Sequence, residues 1–175
     1  MPNVLIPLAQ GCEELEAVTV IDLLRRAEIN VVTAGLDKQP VTASRKTVLI
    51  PDTDLDTALQ SDYDMVVLPG GLPGADHLDN DERIKNILIK MANSEKFTAA
   101  ICAAPKVLAN AGLLDNKQAT SYPGVLENST GECVVISGKV ITSRGPGTAM
   151  DFALTLIEQL VGKDKRNEVE KGLVR

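Results

Sequence analysis

A chain of 175 residues is long enough for one domain with a substantial core and short for two, and we read it as a single domain spanning 1–175. Hydrophobic residues at 44% and charged residues at 24% give the balance of a packed globular protein rather than a disordered or membrane chain. A formal charge of -6 with two Tyr, two Phe and no Trp disfavours nucleic acid as a partner, because the field repels polyphosphate and no base-stacking platform is available.

The N-terminal Met-Pro-Asn-Val-Leu-Ile-Pro has no basic region followed by a long apolar run, so neither a signal peptide nor a membrane span is read there. Asn3–Leu8 reads as a short buried strand. The polar turn Gln10-Gly11-Cys12-Glu13 then opens a helix to about Ala27, with Ala17, Val20, Ile21 and Leu24 as its apolar stripe. Residues 29–34 predict a second strand, and 41–50 predict strand pieces around the polar break Ser44-Arg45-Lys46. Met65–Leu68 predicts a third core strand, ending in Pro69-Gly70-Gly71. Between 81 and 94, Ile84, Ile87, Leu88, Met91 and Ala92 keep one helical face. Phe97–Ile101 follows as a strand, then a helix over 103–111 with Pro105 in its first turn, where the missing N–H costs nothing. A tight hairpin is expected over 134–141, a helix over 148–161, and a short charged helix at the end. Strands alternating with helices imply an α/β fold, a mostly parallel sheet with helices on both faces and ligands at the carboxyl ends of its strands.

The segment Ala99-Ala100-Ile101-Cys102-Ala103-Ala104-Pro105 sets a thiol between strand and helix, with small residues two positions to either side. That is the logic of a nucleophile elbow, where bulky neighbours would clash in the tight turn. A helix start behind the sulfur favours a thiolate, so Cys102 is expected to be the most acidic of the three thiols. The competing reading of any single Cys is a small buried hydrophobe. Pro69-Gly70-Gly71 allows close backbone approach, and the Gly71 and Ala103 N–H groups would together form an oxyanion hole; a lone Gly-Gly would otherwise be a plain turn.

Glu13, Glu14 and Glu16 open the first helix, where the dipole favours carboxylates in any case. Glu16 is expected to turn inward toward the edge that carries Cys102, where a protonated carboxyl would donate a hydrogen bond to a thiolate. Glu14 is expected to tolerate replacement by Leu. His77, the only histidine, reads as a solvated loop residue, which weighs against a Cys-His dyad and a His-ligated metal. Cys133 reads as strand core and Cys12 as a secondary thiol with some exposure. Three scattered cysteines make neither a disulfide framework nor a metal pattern and point to a reducing cytoplasm.

Gly11-Cys12-Glu13-Glu14-Leu15-Glu16, Val67-Leu68-Pro69-Gly70-Gly71, the 99–105 segment and Thr142-Ser143-Arg144-Gly145-Pro146-Gly147-Thr148 together resemble, in order and over nearly the whole chain, the ThiJ/PfpI superfamily, in the branch of the Parkinsonism-associated protein and bacterial YajL. The resemblance implies a flavodoxin-like sandwich, usually a homodimer. It implies Cys102 as nucleophile, Glu16 as its acidic partner, Gly71 as the oxyanion glycine, Arg45 near the site and Arg26 as a dimer-contact arginine. From the residues alone, Arg26 is an i, i+4 partner of Asp22. Gly145-Pro146-Gly147 resembles a pocket-lining loop, so Gly70, Arg45, Arg26 and Pro146 are expected to support the site. The sequence departs at Ser121-Tyr122-Pro123, where many relatives place a histidine before the proline; protease activity is thereby put in doubt.

The leading expectation is an enzyme without cofactor or metal, a glyoxalase or deglycase acting on methylglyoxal, glyoxal or early glycated amines. The second is a redox-sensing stress protein or chaperone controlled by oxidation of Cys102. A flavodoxin-like nucleotide binder would want Ser, Thr and Gly in its first loop, whereas this loop is acidic. A homodimer through the first helix is expected, because Leu15, Val18 and Leu23 remain apolar beside the core stripe.

Overall fold

In the computed structural model, which describes residues 1–175, β1 (Asn3–Leu8) is buried at every position after its first, the pattern of a strand flanked on both sides and covered on both faces. α1 (Glu14–Arg26) follows, its first turn capped by the Glu13 carboxylate, which accepts the Leu15 N–H. β2 (Asn30–Gly35), the ribbon strands β3 (Val41–Thr42) and β4 (Val48–Leu49), β5 (Thr53–Asp54) and the single turn α2 (Leu55–Ala58) lead to β6 (Met65–Leu68). Then come α3 (Gly74–Asp79), α4 (Glu82–Asn93), β7 (Phe97–Ile101), α5 (Pro105–Asn110), the hairpin β8 (Val134–Ser137) and β9 (Val140–Ser143), a 3-10 turn Pro146–Thr148, α6 (Ala149–Val161) and α7 (Lys163–Gly172).

One seven-stranded sheet has the order β5-β2-β1-β6-β7-β9-β8, parallel except for β8, with β3 and β4 as a separate antiparallel ribbon. One apolar core joins the sheet to α1, α6 and α7, and a second joins its other face to α2 through α5. This is the α/β sandwich with a mostly parallel sheet read from the sequence. The chain runs outward from β1 to β2 and then returns to place β6 on the other side of β1. The carboxyl ends of β1 and β6 therefore diverge at a topological switch point, where such sheets open a crevice for ligands. No helix is long and apolar enough to cross a membrane.

Three local differences from the sequence reading have physical causes. The helix expected over 103–111 contracts to α5, because Cys102 takes a left-handed φ of 65° and the chain needs two further residues before helical geometry begins. α2 and α3 were not anticipated: at four and six residues they are too short to display a helical period, and α3 takes up the polar stretch assigned to loop, with His77 exposed in its last turn. On α1, Leu23 is 3% exposed and belongs to the core, while Ile21 is only half-buried. The buried positions are Glu16, Ala17, Val20, Leu23 and Leu24, so one carboxylate stands inside an apolar stripe. A charged residue placed at such a position needs a chemical reason.

Candidate active site

Strand register gathers the site. Leu68 pairs with Ala100 and Ile101 with Ser143, so the segments leaving β6, β7 and β9 emerge side by side, with the turn after β1 next to them. Cys102 is the first residue beyond β7. Its N–H donates to the Ser143 carbonyl at 3.0 Å, and its own carbonyl accepts the Tyr122 N–H at 2.8 Å. Those two bonds hold a non-glycine residue in a conformation costing roughly 1–3 kcal/mol, which aims the side chain away from the sheet. The Gly71 and Ala103 amides, the two donors read from the sequence as an oxyanion hole, lie on the side of the thiol where they favour its charged form.

Glu16 is fully buried. Its Oε1 accepts the Gly70 N–H at 3.0 Å, Oε2 has no hydrogen-bond donor, and the carboxyl and the Cys102 side chain both lie against Gly70. Burial pushes the carboxyl up to about 7, with the Cys102 and Gly70 contacts pulling part of the way back. A buried oxygen without a donor is the natural place for that proton.

The two glycines are required by space. A Cβ on Gly70 would lie 2.7 Å from the Cys102 Cβ, from Glu16 Oε1 and from the Ile101 carbonyl oxygen. At Gly71, φ is +88° and a Cβ would come 2.4 Å from the Glu13 nitrogen. Gly70 thus fills the only space between acid and thiol, and Gly71 lets its strand end press on the first loop.

The expectation that Cys102 is the most acidic thiol is corrected. Burial pushes it up to about 12, followed by the charge of Glu16 and its hydrogen bond, while the Gly71 and Ala103 amides pull down. Cys12 is also pushed up to about 12, by burial and then by Glu14. The helix behind Cys102 is only six residues long and starts three positions on, too little and too late to offset burial. The two groups oppose each other as charges: an ionised Glu16 holds the thiol protonated, whereas a proton on Glu16 removes that charge and offers the sulfur a hydrogen-bond donor.

Other expected residues are placed as follows. Glu14, expected to tolerate replacement, anchors the ribbon turn: it accepts hydrogen bonds from Ser44 Oγ, from the Arg45 N–H at 3.0 Å and from the Thr47 N–H at 3.1 Å. Burial raises this carboxyl, but the amides outweigh that and bring it down to about 2. Arg45 is thereby carried to the rim on an anchored backbone, with its side chain exposed. Arg26 pairs with Asp22, and both are about half exposed, as the i, i+4 reading has it. It lies about 15 Å along α1 from Glu16 and is not brought to the site within one chain. Pro146 is half-buried in the 3-10 turn, behind Gly145. Cys12 is 1% exposed, not a surface thiol, and Cys133 is not strand core: it precedes β8, half-buried, with its thiol donating to Asp151 Oδ2 at 3.7 Å.

A family model described as the DJ-1/PfpI family matches residues 2–159. The chain belongs to the DJ-1/PfpI family. Protein DJ-1 homolog B of Arabidopsis thaliana is 44% identical over 178 residues, covering 98% of this chain but 41% of the plant protein, so this chain spans less than half of that relative. A Caenorhabditis elegans protein described as glutathione-independent glyoxalase DJR-1.2 is 34% identical over 176 residues, 97% of this chain and 94% of the worm protein. Among solved structures, Toxoplasma gondii DJ-1, oxidized, superposes with a TM-score of 0.96 at 35% identity, covering 99% of this chain and 98% of that one. This DJ-1/PfpI fold also has a second tier that the sequence did not announce. The Ser143 and Thr148 hydroxyls meet at 2.6 Å, and Thr148 Oγ1 donates to the Gly145 carbonyl, fixing the loop that carries Pro146. A polar residue at the end of a strand with a Ser/Thr five positions later is the only signal that could have found it.

Proposed function

We propose that this chain is a cofactor-independent glyoxalase that converts α-oxoaldehydes such as methylglyoxal and glyoxal to hydroxy acids, with deglycation of early amine adducts at the same site. The single observation that carries this reading is the buried Glu16 carboxyl at the Cys102 thiol, with Gly70 between them and two amides placed to favour the charged form of the thiol. The worm relative described as a glyoxalase supports it. The thiolate sulfur adds to the aldehyde carbon, a C–S bond forms, and the carbonyl electron pair moves to an oxygen that the Gly71 and Ala103 N–H groups stabilise and that takes the proton held by Glu16. Glu16, now a carboxylate and poised near 7, takes the proton from that carbon and returns it to the neighbouring carbonyl carbon, while the hydroxyl proton passes to the neighbouring oxygen to leave a hydroxy thioester. One carbon is oxidised as its neighbour is reduced, so no external oxidant is needed. Water then cleaves the resulting thioester to carboxylate and free thiol.

Lactate formation from methylglyoxal by the pure protein, with trace metals and contaminating glyoxalases excluded, tests this. Cys102→Ser is expected to abolish turnover; a serine variant as active as the parent would sink the proposal. The oxidised Toxoplasma relative favours a second reading, control by Cys102 oxidation, which would stand alone if lactate never forms. Three free cysteines, two of them buried, suit a reducing compartment, and we place the protein in the cytoplasm.

Leu15 and Val18, 50% and 47% exposed, leave α1 with an uncovered apolar edge, and we propose that a second copy covers it. Sedimentation at low micromolar concentration should give twice the chain mass, and Val18→Glu should shift it toward the monomer. A monomeric parent protein would remove Arg26 from any supporting role.

A further inference from the structure

The rim of the site has an unusual composition. Tyr63 and Phe152 are buried and Phe97 is half-buried, whereas Tyr122 is 51% exposed, the one exposed aromatic ring of the chain. Its backbone is held firmly. The N–H donates to the carbonyl of the nucleophile, and its carbonyl accepts both Ser121 Oγ at 2.9 Å and the Val125 N–H at 3.1 Å. The ring stands against Gly145, where an added Cβ would meet Cδ2 at 3.5 Å. Leu72, next after the oxyanion glycine, is 59% exposed. An exposed leucine or tyrosine alone needs no explanation. Two of them, each carried on backbone next to a group that contacts the reacting cysteine, offer exposed apolar surface beside it, and an aromatic ring with two side-chain torsions loses little freedom on contact.

We infer that Tyr122 and Leu72 are specificity-determining residues that select carbonyl compounds with a flat apolar substituent, aryl α-oxoaldehydes above methyl ones. The substrate class rests on the glyoxalase reading; the exposure and tethering of Tyr122 and Leu72 do not. With phenylglyoxal the steps are those given for methylglyoxal and the product is mandelate, again with no external oxidant.

Two experiments separate the parts. In the first, kcat/KM is measured for phenylglyoxal and methylglyoxal. The aryl-to-methyl ratio is expected to fall about tenfold in Tyr122→Ala, through KM, and about threefold in Leu72→Ala, with Tyr122→Phe close to the parent. In the second, 2-chloroacetophenone and chloroacetone compete for Cys102. A C–S bond forms, chloride leaves, the thiol proton goes to solvent, and mass spectrometry reads the labelled peptide. The parent should favour the aryl reagent beyond the preference of free glutathione, and Tyr122→Ala should lose that excess. Aryl preference in labelling without turnover of either aldehyde would end the glyoxalase reading and leave this inference standing. Labelling no more selective than glutathione, or a ratio unchanged within twofold in both the Tyr122→Ala and the Leu72→Ala proteins, would overturn it. Leu72 is exposed, so its variant keeps the test decisive if Tyr122→Ala fails to fold.

Discussion

Glu16→Leu is expected to lower kcat/KM for methylglyoxal by about 10²–10⁴-fold, the usual contribution of a positioned acid–base group. The variant should still fold, since position 16 lies in an apolar stripe with Val20, Leu23 and Leu24. The cost of leaving the Gly70 N–H without an acceptor, about 1–3 kcal/mol, is offset by removing a buried carboxyl. The pH dependence carries the sharper test. In the parent the pair loses its first proton near 7, so alkylation of Cys102 should rise with pH through about 7 and then level off. In the leucine variant a lone buried thiol remains, held above its usual value by burial, so the rise should move to higher pH. Stability gives an independent sign. The folded-state carboxyl is raised from 4.5 to about 7, so between those values the folded chain keeps a proton that the unfolded chain has lost. Parent stability should therefore fall as pH rises across that window, and the leucine variant should lack this decline. Equal alkylation profiles in the two proteins would show that Glu16 does not govern the thiol.

The fold was legible because its elements have strong periods: four apolar residues in β6, and the stripe Ile84, Ile87, Leu88, Met91 on α4. Cys102, Gly70 and Gly71 were legible as residue types at strand ends, and Glu16 as a carboxylate in the first turn of α1. What the sequence does not display is how burial and charge combine. Nothing local says that desolvation at Cys102 outweighs its short helix, or that Glu14 spends its carboxylate on three groups of a ribbon turn about 30 residues away in the chain. Leu23 and Ile21 exchange roles for a similar reason. Both are apolar positions on one helix, and only the angle at which α1 meets α6 and the sheet decides which is covered. Arg26 shows the limit from the other side, since a role that depends on a second copy leaves only its pairing with Asp22 visible in one chain.

Gly70→Ala should produce a destabilised protein with little activity, although no reacting group is altered. Gly70 is not among the residues with left-handed backbone, so alanine is conformationally acceptable there and the whole effect is steric. The new Cβ meets three atoms at 2.7 Å: Glu16 Oε1, the Cys102 Cβ and the Ile101 carbonyl oxygen. The Glu16 carboxyl can swing aside, but the Cys102 Cβ and the Ile101 carbonyl are fixed by the chain, Cys102 through its bonds to Ser143 and Tyr122, so the ends of β6 and β7 must also move apart. A displacement of about 1 Å at a reacting group costs on the order of 10² in rate, and overpacking of this kind costs about 1–3 kcal/mol of stability. The expected result is kcat/KM down at least about 100-fold, a clearly lower urea midpoint, and loss of the alkylation step near 7. Gly71→Ala provides the contrast, because there a left-handed φ of +88° and a 2.4 Å approach to the Glu13 nitrogen act together and the protein should be far less stable. If Gly70→Ala keeps more than about a third of parental kcat/KM while its urea midpoint falls, the close approach of Glu16 to Cys102 is packing and not catalysis.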